Sequence, residues 1–204
     1  MLKMKLKNTQ LTKISNSFYK KHKESISDII LYGSFIRGKE TPKDLDILIL
    51  FKNQIDKDQE YDFKKQLKHI TPKVSLISKT VKSVKESSFV ARESVIFEGY
   101  SLIHQKYISS DYNANQKGIF LYRTNNLPNN MKTRFYYALN GRNSVKGIVD
   151  QLNCIKLSDN VLLAPLENIE RIKEFLTYWD IEYTFIPTLI PSRLDKKQIL
   201  SIVS

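Results

Sequence analysis

Cysteine is almost absent. Cys154 is the only one in 204 residues, which excludes an internal disulfide, a cysteine-based metal cluster, and with them the secreted mini-domain and the zinc finger. Glycine and proline are sparse at six each, too few for a collagen-like or linker-dominated chain. No apolar run approaches the ~18 residues of a membrane helix. The longest candidates, such as Leu45 to Phe51, have strand length, so no membrane partner is expected. The first ten residues lack the apolar core of a signal peptide, and the cytoplasm is the expected compartment. Acidic residues are in short supply too: 21 Asp and Glu face 33 Lys and Arg, a net charge of +12. Residues 1–110 carry +9 of it, and the first 23 residues hold seven lysines and no acid. Such a field concentrates polyanions, so nucleotides, RNA or DNA are the partner class to consider. AT-rich codon usage produces the same composition, so function has to rest on a site. With 41% hydrophobic and 26% charged residues, the chain has an ordinary globular composition, and its length suits one large domain or two small ones.

Apolar spacing predicts a helix over 9–27 (Leu11, Ile14, Phe18, Tyr19) and a buried strand over 28–32 that stops at Gly33-Ser34. Ser34 is a good N-cap, so 34–38 can begin a short helix. A loop at Pro42-Lys43 leads into the strand Leu45 to Phe51. A helix over 58–70 is stopped by Pro72, and a third strand follows over 73–78. The pattern then predicts a helix over 83–97, with Gly99 as a left-handed cap. The polar stretch Ser109 to Asn113 marks a boundary between a domain over 1–110 and a small α/β domain over 111–192, with a tail over 193–204. In the second domain, strands are expected over 118–122, 161–164 and 181–190, and helices over 129–140, 144–153 and 167–180. Pro187 places the last strand at a sheet edge.

The chemistry sits in Leu31 to Leu50. Asp44 and Asp46 are two apart at the entrance of a strand, so both carboxylates project from one face. Two like charges beside an apolar strand are costly unless a cation neutralises them. Oxygen ligands favour Mg²⁺ or Mn²⁺ over zinc. Upstream, Gly33-Ser34 lies at a strand-to-helix turn, where free N–H groups and the helix dipole favour a phosphate and Gly33 permits close approach. A phosphate cradle facing a carboxylate pair is what metal-assisted phosphoryl or nucleotidyl transfer requires.

This segment resembles the nucleotidyltransferase superfamily of DNA polymerase β, particularly its minimal nucleotidyltransferase members. Their signature is hydrophobic-Gly-Ser, a spacer, then Asp-hydrophobic-Asp-hydrophobic. Here it reads Gly33-Ser34, the nine residues 35–43, and Asp44-Leu45-Asp46-Ile47. Arg37-Gly38 and the helix end Glu93 to Gly99 are also common in small members. The resemblance spans about residues 10–105 and implies a mixed sheet flanked by helices. It also implies Mg²⁺- or Mn²⁺-dependent transfer of a nucleoside monophosphate from an NTP to a hydroxyl, with nucleic acid the acceptor that the basic charge favours. Gly33 and Ser34 would hold the triphosphate, Asp44 and Asp46 the metal, and Arg37 would neutralise phosphate charge. The chain departs from the family at one point: Ser75 stands where the third carboxylate is expected, and a neutral hydroxyl is neither a good ligand nor a base. Glu86 and Glu93 are candidates to replace it. The rival readings are an antitoxin-like member that adenylylates a protein, and a decayed, nucleic-acid-binding member.

Other candidates are simpler. His22, His69 and His104 read as surface or packing residues, and Cys154 as a small buried group. Tyr136, Tyr137 and Arg142, with Lys132 and Arg134, read either as half-buried helix residues or as a stacking surface for single-stranded nucleic acid.

Overall fold

The computed structural model describes residues 9–39, 43–70, 73–194 and 198–200. The expected loop residue Pro42, the helix stop at Pro72 and most of the tail therefore lie outside the described residues. The chain divides into two compact units after Tyr112.

Unit 1 opens with α1 (Gln10–Lys21), capped by Thr9, whose side chain accepts from the Thr12 N–H at 3.3 Å. Lys20 and Lys21 in its last turn suit the negative end of the helix dipole. α1 stops well short of the expected residue 27. The chain turns on the His22 carbonyl, which accepts from the Ser25 and Ile26 N–H groups. That turn frees Ile26 to begin β1 (Ile26–Tyr32), which pairs antiparallel with β2 (Leu45–Phe51). Helix α2 (Lys57–Leu67), capped by Asp56, then crosses to β3 (Val74–Thr80), which lies parallel to β2. The sheet is completed on its other side by β4 (Tyr100–Ser101) and β5 (Lys106–Tyr107), in the order β3-β2-β1-β4-β5. It is the mixed sheet flanked by helices that the resemblance implied.

Alternation along β1 and β2 divides the core. Ile29, Leu31, Ile47 and Ile49 are fully buried on one face. There α1 and α2 pack through Phe18 and Phe63, whose ring centroids are 4.7 Å apart. On the other face, Ile30, Tyr32 and Leu48 pack against Phe89 and Val95. The helix expected over 83–97 is divided to make that contact. A single 3₁₀ turn (Ser83–Lys85) is followed by extended Glu86, and α3 spans only Arg92–Glu98. Gly99 is not a left-handed cap, because its φ is −59° and its ψ 130°. Glycine is needed there for space: a Cβ would lie 2.2 Å from the Val95 carbonyl oxygen.

Asp28, on β1, is 7% exposed, and its Oδ1 accepts from the Ile29 N–H and the Ser101 hydroxyl. Burial raises its pKa above the ordinary carboxylate range, against those two bonds and the charges of His104 and Lys106. A raised carboxylate pKa stabilises the fold at low pH, and that contribution is lost as pH rises through the folded value. Asparagine mimics the protonated form. Asp28→Asn should therefore melt above wild type at pH 7, with the gain shrinking toward zero as pH falls below about 3.9, the unfolded value; a thermal-melt series across pH checks both.

Unit 2 is built on an antiparallel sheet in the order β11-β6-β10-β9. Its strands are β6 (Ala114–Arg123), β9 (Ile155–Ser158), β10 (Val161–Pro165) and β11 (Glu182–Pro191). As Pro187 implied, β11 is an edge strand. Helices α4 (Asn129–Asn140) and α6 (Ile169–Tyr178) lie near their expected spans. The helix expected over 144–153 is instead a two-stranded hairpin, β7 (Gly141–Arg142) with β8 (Val145–Lys146), followed by the single turn α5 (Ile148–Gln151). Cys154 is fully buried, and Phe135, Leu139, Ile172 and Leu176 fill the core.

Candidate nucleotidyl-transfer site

The apolar run of β1 ends at Tyr32, and the chain turns at once. Gly33 has φ +85°, a conformation that a side chain resists. Residues 33–38 form a tight turn rather than a helix, held by the Ile36 and Arg37 N–H groups on the Gly33 carbonyl. The N–H groups of Ser34 and Phe35 donate to no group among the described residues. They remain available to an anion.

Asp44 is exposed just before β2, and Asp46 is half-buried within it. In the sheet register Asp46 faces Tyr32 on one side and Ser75 on the other. Its carboxylate lies over Gly33, where a Cβ would sit 2.1 Å from Oδ2. The sequence suggests that Gly33 clears space for a phosphate. In the structure, the space beside its Cα is filled by Asp46. The turn and the carboxylate thus fit together only with glycine at 33.

Burial raises the Asp46 pKa, and the charge of Asp44 raises it further; the neighbouring Ser75 hydroxyl opposes the shift. Glu98 adds to the repulsion, and Arg37 offsets part of it. Tyr32, 6% exposed, is pushed up to about 12 by burial and then by Asp46, Glu98 and Asp44.

Glu98 is the residue that sequence reasoning overlooked. It closes α3 at 2% exposure, three positions after the buried Val95 and directly before Gly99. That Val95 spacing was the available signal. Its Oε1 accepts from the Gly33 N–H at 2.9 Å, and both oxygens accept from Arg37 Nη1 at 2.9 and 2.6 Å. The Arg37 Nη1 group donates to Glu98, which neutralises a buried carboxylate and helps to hold the turn.

Asp44, Asp46, Ser75 and the Gly33-Ser34 turn come together at one end of β1 and β2. Glu93 does not join them. It borders a cavity of about 690 Å³ at the opposite, Asp28–Leu50 end of the strands. Glu86 is exposed beside the 3₁₀ turn. Among the described residues, no three His, Cys, Asp or Glu side chains are grouped to hold a metal. The two aspartates nonetheless suit a divalent cation that shares its shell with phosphate oxygens, since Mg²⁺ is commonly held by one or two carboxylates plus a substrate's phosphates. Their mutual repulsion is what such a cation relieves. Of the histidines, His22 stacks on Phe18 at 4.5 Å, while His69 and His104 are exposed.

None of the curated proteins matches this sequence. Two mutant forms of the toxin–antitoxin pair MntA–HpeT align at 17% and 18% identity, each with a TM-score of 0.33. They cover 42% and 46% of this chain and 66% and 70% of theirs. A tri-AMPylated Shewanella oneidensis HEPN toxin in complex with MNT antitoxin aligns at 17% identity over 45% of this chain and 71% of that one, with a TM-score of 0.31. The sequence model of the polymerase beta nucleotidyltransferase family matches residues 12–108, which include the turn, both aspartates and Glu98. Residues 12–108 thus form a domain of the polymerase beta nucleotidyltransferase family.

Proposed function

We propose that the chain transfers a nucleoside monophosphate from an NTP to a hydroxyl of nucleic acid, with Mg²⁺ or Mn²⁺ held between Asp44, Asp46 and the triphosphate. The observation that carries this reading is the contact of the Asp46 carboxylate with Gly33, which sets an aspartate against a turn whose Ser34 and Phe35 N–H groups donate to no group among the described residues. The acceptor oxygen would bond to the α-phosphorus as the bond to the β-phosphate's bridging oxygen breaks. Pyrophosphate leaves, and the hydroxyl proton passes to solvent. The Ser34 and Phe35 N–H groups would orient the phosphates, and Arg37 would keep the turn in shape through Glu98. The cation would screen phosphate charge and acidify the attacking hydroxyl. The net charge of +12 supports a polyanionic acceptor.

Incubation with each labelled NTP, Mg²⁺ or Mn²⁺ and total RNA should yield labelled RNA and pyrophosphate. Label that enters protein instead would favour the adenylylating reading, and label that enters neither would overturn transfer. Asp46→Asn should abolish cation-dependent NTP binding while melting at or above the wild-type temperature, because one of two repelling carboxylates is gone. Calorimetric titration with Mg-NTP checks the first half and thermal unfolding the second. A variant that binds Mg-NTP like wild type would remove Asp46 from the site.

A further inference from the structure

Unit 2 presents a face that folding alone does not explain. Between Tyr112 and Val149 the chain has no acidic residue, yet it has six basic ones. Within that stretch, α4 buries Phe135 and Leu139 but leaves Tyr136 53% and Tyr137 38% exposed. The two rings meet edge to face with centroids 6.0 Å apart. The Arg142 guanidinium lies 4.8 Å from the Tyr137 ring centroid, and the Lys156 ammonium 5.5 Å from that of Tyr136.

The placement of Arg142 is built in. Gly141 has φ +93°, and a Cβ there would lie 2.4 Å from the Val145 carbonyl oxygen. A Cβ on Gly147 would lie 2.3 Å from the Gly141 nitrogen. The two glycines close on each other, so the β7–β8 hairpin has one path, and that path returns Arg142 to the tyrosines. Beside the rings is a cavity of about 380 Å³ lined by Lys132, Tyr136, Tyr137, Lys156 and Asn160 among others. Its one acid, Asp159, is paired with Lys156 at 2.7 Å. Exposed aromatic faces alternating with cations match a polyanion whose rings are free to stack. A duplex keeps its base faces covered.

We propose that this face of unit 2 binds single-stranded nucleic acid. One base would enter the cavity against Tyr136, a neighbouring base would stack at Tyr137 and Arg142, and Lys132 would hold an intervening phosphate. The site lies outside residues 12–108. It deepens the nucleic-acid reading of the acceptor and rests on that reading for its purpose. Binding is measured without NTP or divalent cation, so loss of transfer and loss of this site are read separately.

The test is fluorescence anisotropy of the full chain with labelled oligouridylate, oligothymidylate and a duplex of equal length. Single strands should bind with an affinity that falls steeply between low and physiological salt, and the ratio of the two oligomers separates RNA from DNA. Replacing Tyr136 and Tyr137 together by alanine should weaken binding about tenfold or more, while phenylalanine at both positions retains it. Arg142→Glu, an exposed hairpin change, should also weaken binding and decides the matter if the alanine pair unfolds. The proposal is overturned by no binding at low salt, by a duplex bound more tightly than either single strand, or by wild-type affinity in the folded alanine pair or in Arg142→Glu.

Discussion

Ser75→Asp is expected to raise nucleotidyl transfer by about 10²–10⁴-fold, the usual worth of a positioned acid–base group. Ser75 is the register partner of Asp46 across the parallel β2–β3 ladder, and its hydroxyl holds the Asp46 pKa down against burial. A carboxylate at 75 would add a ligand and a proton acceptor on the same face. It would also place a third negative charge beside Asp46, whose pKa is already raised by burial and by Asp44. The variant should therefore melt below wild type alone and recover with Mg²⁺ and NTP. Pyrophosphate release and a melt with and without ligand measure the two effects. If wild type is active and Ser75→Asp is no faster, the acid lies elsewhere, and Glu86→Gln and Glu93→Gln are the next variants to assay. If neither protein transfers to RNA, protein or small hydroxyl acceptors, the decayed, nucleic-acid-binding reading replaces the enzyme.

Glu98→Ala should give the largest loss of stability. Glu98 is 2% exposed and accepts from both Arg37 and the Gly33 N–H. Removing one partner of a buried ion pair typically costs about 3–5 kcal/mol, because the other charge is left in a poorly solvated place. Against a typical domain stability of about 5–15 kcal/mol, that brings unit 1 close to unfolding. Glu98→Gln keeps an acceptor for the Gly33 N–H but loses the charge, so it should fall between the two. Urea denaturation ranks the three proteins. A loss below about 1 kcal/mol for the alanine variant would mean that the pair behaves as an exposed one.

The aspartate pair, the glycine turn and the strands that carry them were legible because each is local. An apolar run, a break at Gly33 and a two-residue spacing suffice. The ends of helices were less so. α1 stops at Lys21 and α3 begins only at Arg92 because Ile26 and Phe89 are drawn into the sheet's core, a demand that periodicity does not register. Gly99 signals a chain reversal by composition, yet its reason is contact with Val95 and Ile30. The spacing of Glu98 from Val95 hints at its burial, but its partners were not legible: Gly33 and Arg37 lie 65 and 61 residues away in sequence.

That separation has a consequence for the order of folding. β1 and β2 can pair through a connection of modest length, and the aspartates travel with them. The Gly33 turn, however, has its N–H fixed by a residue that arrives only when α3 docks. Closing a loop of 65 residues is slow compared with the local hairpin. The Gly33 turn is thus expected among the last parts of unit 1 to take shape. A chain interrupted before residue 98 would display the whole Gly-Ser and Asp-x-Asp signature without the geometry that gives the signature its use.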